Sequence, residues 1–163
     1  MFKRIATTFG TRFVTAIINF LVVVAVSRFL GPAGKGEQGI IITTVALILL
    51  FSNILGGASL VYLAPRYRIR QLILPSYGWS VLCGLVWWLV LDATVLVPHE
   101  WALHIAVLSV INSWASINTN LLIGREHIGK SNLVNLLQSL AVILTFTGLV
   151  AFSELRDIRA YFA

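Results

Sequence analysis

Charge is the scarcest feature of this sequence. Charged residues make up 11% of the 163, against roughly 25% in soluble globular proteins. That is too little to cover the surface of a soluble globule. Cysteine is almost absent as well: Cys83 stands alone, inside an apolar run. An intrachain disulfide and a thiolate metal cluster are therefore excluded, and cysteine usage says nothing about the compartment. No carboxylate falls in the middle of an apolar run; Asp92 lies near the end of one, and the other five acids sit in connections or the tail. A positioned carboxylate pair for acid–base catalysis is thus missing. His99-Glu100 and His104 have three residues after Glu100 where a zinc-protease helix has two. Gly31 to Gly36 contains Lys35 but lacks the spacing of a phosphate loop. No enzyme activity, metal or cofactor is expected.

What the sequence does contain is apolar. Hydrophobic residues reach 58% and the mean hydropathy is +0.91, far too apolar for a disordered chain. The expected fold class is all-α, a polytopic membrane helix bundle of about five transmembrane helices in a single membrane domain over residues 1–163. A bilayer core needs about 20 mostly apolar residues per helix. Five runs meet that need, over about 9–30, 39–63, 76–97, 101–123 and 133–152. Gly31 to Gly36 is read as the turn between the first two, because Gly and Pro disfavour a continuous helix. Pro65 with Arg66, Arg68 and Arg70 ends the second; Pro98-His99-Glu100 separates the third and fourth, and Gly124 to His127 the fourth and fifth. Met1-Phe2-Lys3-Arg4 leads into a run too long for a signal peptide, so the first helix is expected to be uncleaved. Ser153 to Ala163 is read as a tail or the start of a sixth helix.

The net charge of +6 would suggest nucleic acid in a soluble chain. Here the basic residues form short clusters between apolar runs, where they fix orientation instead. With a cytoplasmic N-terminus, that side receives Lys3, Arg4, Arg12, Arg66, Arg68, Arg70, Arg125 and Lys130. The other receives Arg28, Lys35, Arg156 and Arg159. Eight against four predicts N-in and C-out. Trp79 and Trp101 are read as interfacial anchors, and Trp87, Trp88 and Trp114 as lying deeper.

The polar residues inside the spans form stripes. At 100° per residue, Thr8, Arg12, Thr15 and Asn19 fall within about 60° on the first helix. Ser109, Asn112, Ser113, Ser116, Thr119 and Asn120 share an arc of about 120° on the fourth, with Asn118 off that face. Ser131, Asn132, Asn135, Gln138 and Ser139 share a similar arc on the fifth. Asn53 with Gly56 and Gly57 marks a place where the second helix can bend or pack closely. Two accounts fit: Ser, Thr and Asn hydrogen-bonding between helices, or a shared water-filled cavity, since polar faces this wide suit lipid poorly. The cavity account makes Arg12, Thr15, Asn19, Asn53, Asn112, Ser116, Asn120, Asn135 and Gln138 the candidate substrate-binding residues.

Several segments carry a family resemblance. Ser27-Arg28-Phe29-Leu30-Gly31-Pro32-Ala33-Gly34-Lys35-Gly36 resembles the end of the first helix in bacterial polysaccharide (O-antigen) flippases, members of the multidrug/oligosaccharidyl-lipid/polysaccharide exporter superfamily. Asn53 to Gly57 and Pro65-Arg66-Tyr67 resemble the second helix and following loop. Leu121 to Lys130 with Asn132 and Asn135 resembles the loop between helices four and five. The resemblance implies a transporter of two six-helix lobes working by alternating access, of which this chain would be the incomplete N-terminal lobe or a fragment. It implies as cargo an undecaprenyl-diphosphate-linked oligosaccharide, and as location the bacterial inner membrane. The implied partners are membrane lipid, the lipid-linked oligosaccharide and the glycan polymerase or ligase machinery, with no nucleic acid. A drug or organic-cation exporter of the same superfamily would favour an intramembrane acid; a non-transporting scaffold for glycan-assembly enzymes would bury its stripes dry. With that cargo, Arg12 has two readings: a snorkelling anchor, or a planar fork for the diphosphate. Arg28, roughly 160° away around the helix, is not expected to share the role.

Overall fold

The computed structural model describes residues 2–94 and 96–152, so the reading of Ser153 to Ala163 lies outside the described residues. Every element among the described residues is helical: α1 (Phe2–Gly56), α2 (Ala58–Leu63), α3 (Ile69–Ala93), α4 (His99–Gly124) and α5 (Ile128–Phe152). Four stretches are long and apolar enough to cross a membrane, namely Thr8–Arg28, Gly31–Leu63, Ile69–Ala93 and His99–Gly124. α5, with 25 residues, is a further long apolar helix. The fold class is the expected one, an all-helical chain with the make-up of a multi-pass membrane protein.

The boundaries differ from the sequence expectation in two informative places. The supposed turn from Gly31 to Gly36 is a helix with a kink at Gly31 (φ 68°, ψ −173°). That backbone region is open essentially to glycine alone. Pro32 then occupies the first position of the resumed helix, where its missing N–H costs nothing and its fixed φ is already helical. One residue thus does the work expected of six. α3 begins at Ile69, seven residues before the expected start, and carries Pro75 in its interior. Its 25 residues extend about 37 Å, more than the roughly 30 Å hydrocarbon core.

Residues group into two compact units, one holding α1 up to Gly39 together with α5, the other Ile40–His127. In the second unit, α4 buries Ala102, Ile105, Ala106, Ser109, Ser113, Ile117, Leu121 and Gly124. These recur every three or four residues, one stripe of a 3.6-residue helix. Ile117 and Leu121 meet Leu60 and Ala64 of the α2 segment and Leu72 of α3 in a buried cluster, flanked by Leu63, Ile73 and Tyr77. Leu82, Leu85 and Leu89 on α3 are more than half exposed, as suits a face turned to lipid. Among equally apolar surroundings, close van der Waals packing through small residues holds helices together. Gly124 is the tightest such point against α2: a Cβ there would stand 2.7 Å from the Val61 carbonyl oxygen and 2.8 Å from the Ala64 Cβ. Backbone would have to move. Gly124→Ala should therefore lower stability by about 1–3 kcal/mol, read as thermal unfolding in detergent. Gly78→Ala, where a Cβ meets nothing within 4 Å, should be neutral or slightly stabilising.

Candidate functional site

The second unit is organised around a helix break. α1 stops at Gly56, and Gly57 (φ −96°, ψ −132°) separates it from α2. The last four carbonyls of any helix lack intrahelical partners, and in hydrocarbon an unsatisfied carbonyl costs several kcal/mol. All four have partners here. The Gly57 N–H donates to the Asn53 carbonyl at 2.9 Å, and Ser59 Oγ reaches back to the Ile54 carbonyl at 3.5 Å. Ser76 Oγ of α3 donates to the Leu55 carbonyl at 3.2 Å. Asn120 Nδ2 of α4 donates to the Gly56 carbonyl at 2.9 Å. Trp79 Nε1 adds a bond to the Phe51 carbonyl at 3.0 Å. Gly56 and Gly57 are buried. The break is closed by protein rather than left to lipid.

A second set of polar contacts joins α3 to α4. The Tyr77 and Trp114 rings stack, with centroids 5.1 Å apart and planes 10° apart. Trp114 Nε1 donates to Ser80 Oγ at 2.8 Å, and that hydroxyl donates to the Tyr77 carbonyl at 2.8 Å. Tyr77 Oη donates to Asn118 Oδ1 at 3.0 Å. Each tyrosine and indole donor thereby finds an acceptor, as buried or lipid-facing aromatics require.

The nine candidate residues divide between the units. Asn53, Asn112, Ser116 and Asn120 lie in the second. Asn120 Nδ2 bonds both the Gly56 carbonyl and, at 3.5 Å, Ser116 Oγ, which brings those two candidates to the Gly57 break. Asn53 is exposed while its main chain takes part in the same break. Asn112 Nδ2 bonds the Leu108 carbonyl of its own helix at 2.9 Å. Ser109 and Ser113 of the same stripe are 1% exposed. Of the polar arc on α4, Ser109 and Ser113 are thus packed inside and Asn120 bonds another helix. In the first unit, Thr15 Oγ1 bonds the Thr11 carbonyl at 2.8 Å, the usual self-satisfaction of a hydroxyl within a helix. Arg12, Asn19, Asn135 and Gln138 are exposed, and none makes a side-chain hydrogen bond among the described residues. Ser131 and Asn132 of the α5 arc are instead buried.

Sequence reasoning missed Ser76, Tyr77, Trp79, Ser80, Trp114 and Asn118. A signal existed for part of this set: Ser76, Ser80, Cys83 and Gly84 recur at helical spacing on α3 and are all buried. Trp79 is the clearest revision. Expected as an interfacial anchor because the span was placed from residue 76, it lies ten residues into α3, about 15 Å along the helix, and holds a main-chain carbonyl. At the other end of α3, Asp92 Oδ1 meets His99 Nδ1 at 3.4 Å, both exposed. Among the described residues no three His, Cys, Asp or Glu side chains gather as a metal site.

Comparisons with protein-family models, with curated proteins and with solved structures find no match to this chain.

The role of Asn120 can be measured. Asn120→Leu keeps the branched shape but leaves the Gly56 carbonyl without its donor, and should cost about 1–2 kcal/mol of stability. Asn53→Leu, which removes an exposed amide, should stay within about 0.5 kcal/mol. Thermal unfolding of the two variants side by side gives the comparison.

Proposed function

We propose that this chain belongs to a membrane transporter that moves an undecaprenyl-diphosphate-linked oligosaccharide across the bacterial inner membrane for cell-surface polysaccharide assembly. In this reading the N-terminus is cytoplasmic and the lobe works by alternating access. The observation that carries the proposal is the contrast between the units. In the second, Ser76, Tyr77, Trp79, Trp114 and Asn120 spend their polar groups on bonds between helices. In the first, Arg12, Asn19, Asn135 and Gln138 remain exposed on apolar helices. Arg12 and Asn19 are seven residues apart, so they share a face. A permanent charge and an amide on one face of a spanning helix are stable only beside water or a polar partner. A cavity for a charged, hydroxyl-rich cargo supplies both. A forked guanidinium suits the diphosphate, and the amides suit sugar hydroxyls.

The competing reading, a scaffold whose polar faces dock dry against other membrane proteins, differs in access to water. In a Cys83→Ala background, Asn19→Cys and Asn135→Cys should react with a membrane-impermeant polar thiol reagent at least about fivefold faster than Leu85→Cys, which faces lipid. Protection of both to the level of Leu85→Cys would contradict the cavity.

A further inference from the structure

Away from the stripes, Arg68, Ile69, Arg70 and Gln71 of the α3 start and Arg125 just after α4 line one open cavity of about 530 Å³. Three guanidinium-bearing residues thus converge from segments 55 residues apart in sequence. Like charges brought together repel unless an anion joins them, and among the described residues no carboxylate is paired with these arginines. Among the described residues the carboxylate ion pair is His99 with Asp92, at the opposite ends of α3 and α4. Glu126 follows Arg125, is exposed, and makes no ion pair among the described residues. Acceptors are scarce too. Gln71 Oε1 is occupied by the Arg68 N–H at 3.3 Å, and the Arg125 carbonyl by His127 Nδ1 at 2.8 Å. The start of α3 adds the positive end of the helix dipole. Arg66 is different: its guanidinium lies 4.2 Å over the Tyr62 ring and does not line this cavity.

Depth identifies the anion. The cavity sits at the ends of two stretches able to cross a membrane, Ile69–Ala93 and His99–Gly124, and so at the level of lipid headgroups. The anion abundant there is the phosphate ester of a lipid. Arginine forks match its oxygens in pairs, and basic pockets between spanning helices are suited to anionic headgroups. We propose that Arg68, Arg70 and Arg125 form a receptor for the phosphate of an anionic phospholipid, a structural lipid that bridges the start of α3 to the end of α4. The proposal does not depend on the transport reading.

Native mass spectrometry of the full chain, released from neutral detergent with added lipid, tests it. Phosphatidylglycerol should be retained and phosphatidylcholine lost. Inorganic phosphate at about tenfold excess should not displace the bound lipid, because the glycerol and acyl chains add contacts a free anion lacks. Arg125→Gln should weaken phosphatidylglycerol binding about tenfold, whereas Arg66→Gln, with the same change of charge in the same region, should change it less than about twofold. Arg125→Lys, which keeps the charge and carries the test if Arg125→Gln does not fold, should still lose about threefold or more. Equal weakening by Arg66→Gln and Arg125→Gln would mean diffuse surface attraction and overturn the proposal. Full displacement by inorganic phosphate would mean a free-anion site, and equal retention of phosphatidylcholine would remove the charge requirement; either also overturns it.

Discussion

A helix that breaks within a stretch apolar enough to cross a membrane releases carbonyl groups that need partners from the protein itself. The end of α1 at Gly56, within Gly31–Leu63, imposes that constraint on everything packed around it. Main-chain and side-chain donors from four places meet it: Gly57 itself, Ser59 one turn on, Ser76 on α3 and Asn120 on α4. The last two are interhelical. They fix the rotation of α3 and α4 about their own axes, because a serine or asparagine on any other face would leave its carbonyl unpaired. Once α3 and α4 are so placed, Gly124 meets α2 closely and Tyr77 stacks on Trp114. The apolar cluster of Leu60, Leu72, Ile117 and Leu121 fills the remaining space. Packing completes the arrangement, but hydrogen bonds to the broken helix orient it.

This constraint also sorts the polar residues by purpose. A serine or asparagine in a spanning helix that has already found a carbonyl has little left to offer a ligand. Ser76, Ser80, Asn112 and Asn120 are of that kind. Arg12, Asn19, Asn135 and Gln138 are not, and they all belong to the other unit. The proposed transport function rests on this contrast: Ser76, Ser80, Asn112 and Asn120 are spent on holding the second unit's shape, while Arg12, Asn19, Asn135 and Gln138 of the first stay exposed.

Much of the fold was legible in the sequence because hydrocarbon permits few solutions. The apolar runs located the helices, and the Asn53-Gly56-Gly57 cluster marked the bend. Proline and glycine were less readable. Gly31 to Gly36 looked like a connection, yet a single glycine of positive φ followed by a proline at a helix start suffices. The third span was placed from residue 76, yet α3 starts at Ile69 and runs through Pro75; proline is tolerated in a spanning helix where neighbouring groups can re-satisfy the backbone it frees. The polar residues of the fourth run fall on one helix, α4, but packing and cavity lining cannot be told apart by periodicity. Which of them face a carbonyl depends on α1 ending at Gly56, a fact of tertiary structure. Asn118 lies off the arc and was set aside for that reason, yet it accepts the Tyr77 hydroxyl. Its partner is 41 residues away, and helical spacing carries no trace of it.

The central claim is that α4 holds the open end of α1 through the amide of Asn120. Solid-state NMR of the chain in bilayers, with the Gly56 carbonyl carbon labelled, reads that bond directly. The account predicts that the Gly56 carbonyl resonance moves to the position of an unbonded carbonyl in Asn120→Ala and stays in place in Asn112→Ala, whose amide bonds only its own helix. A Gly56 resonance unchanged in Asn120→Ala would contradict it.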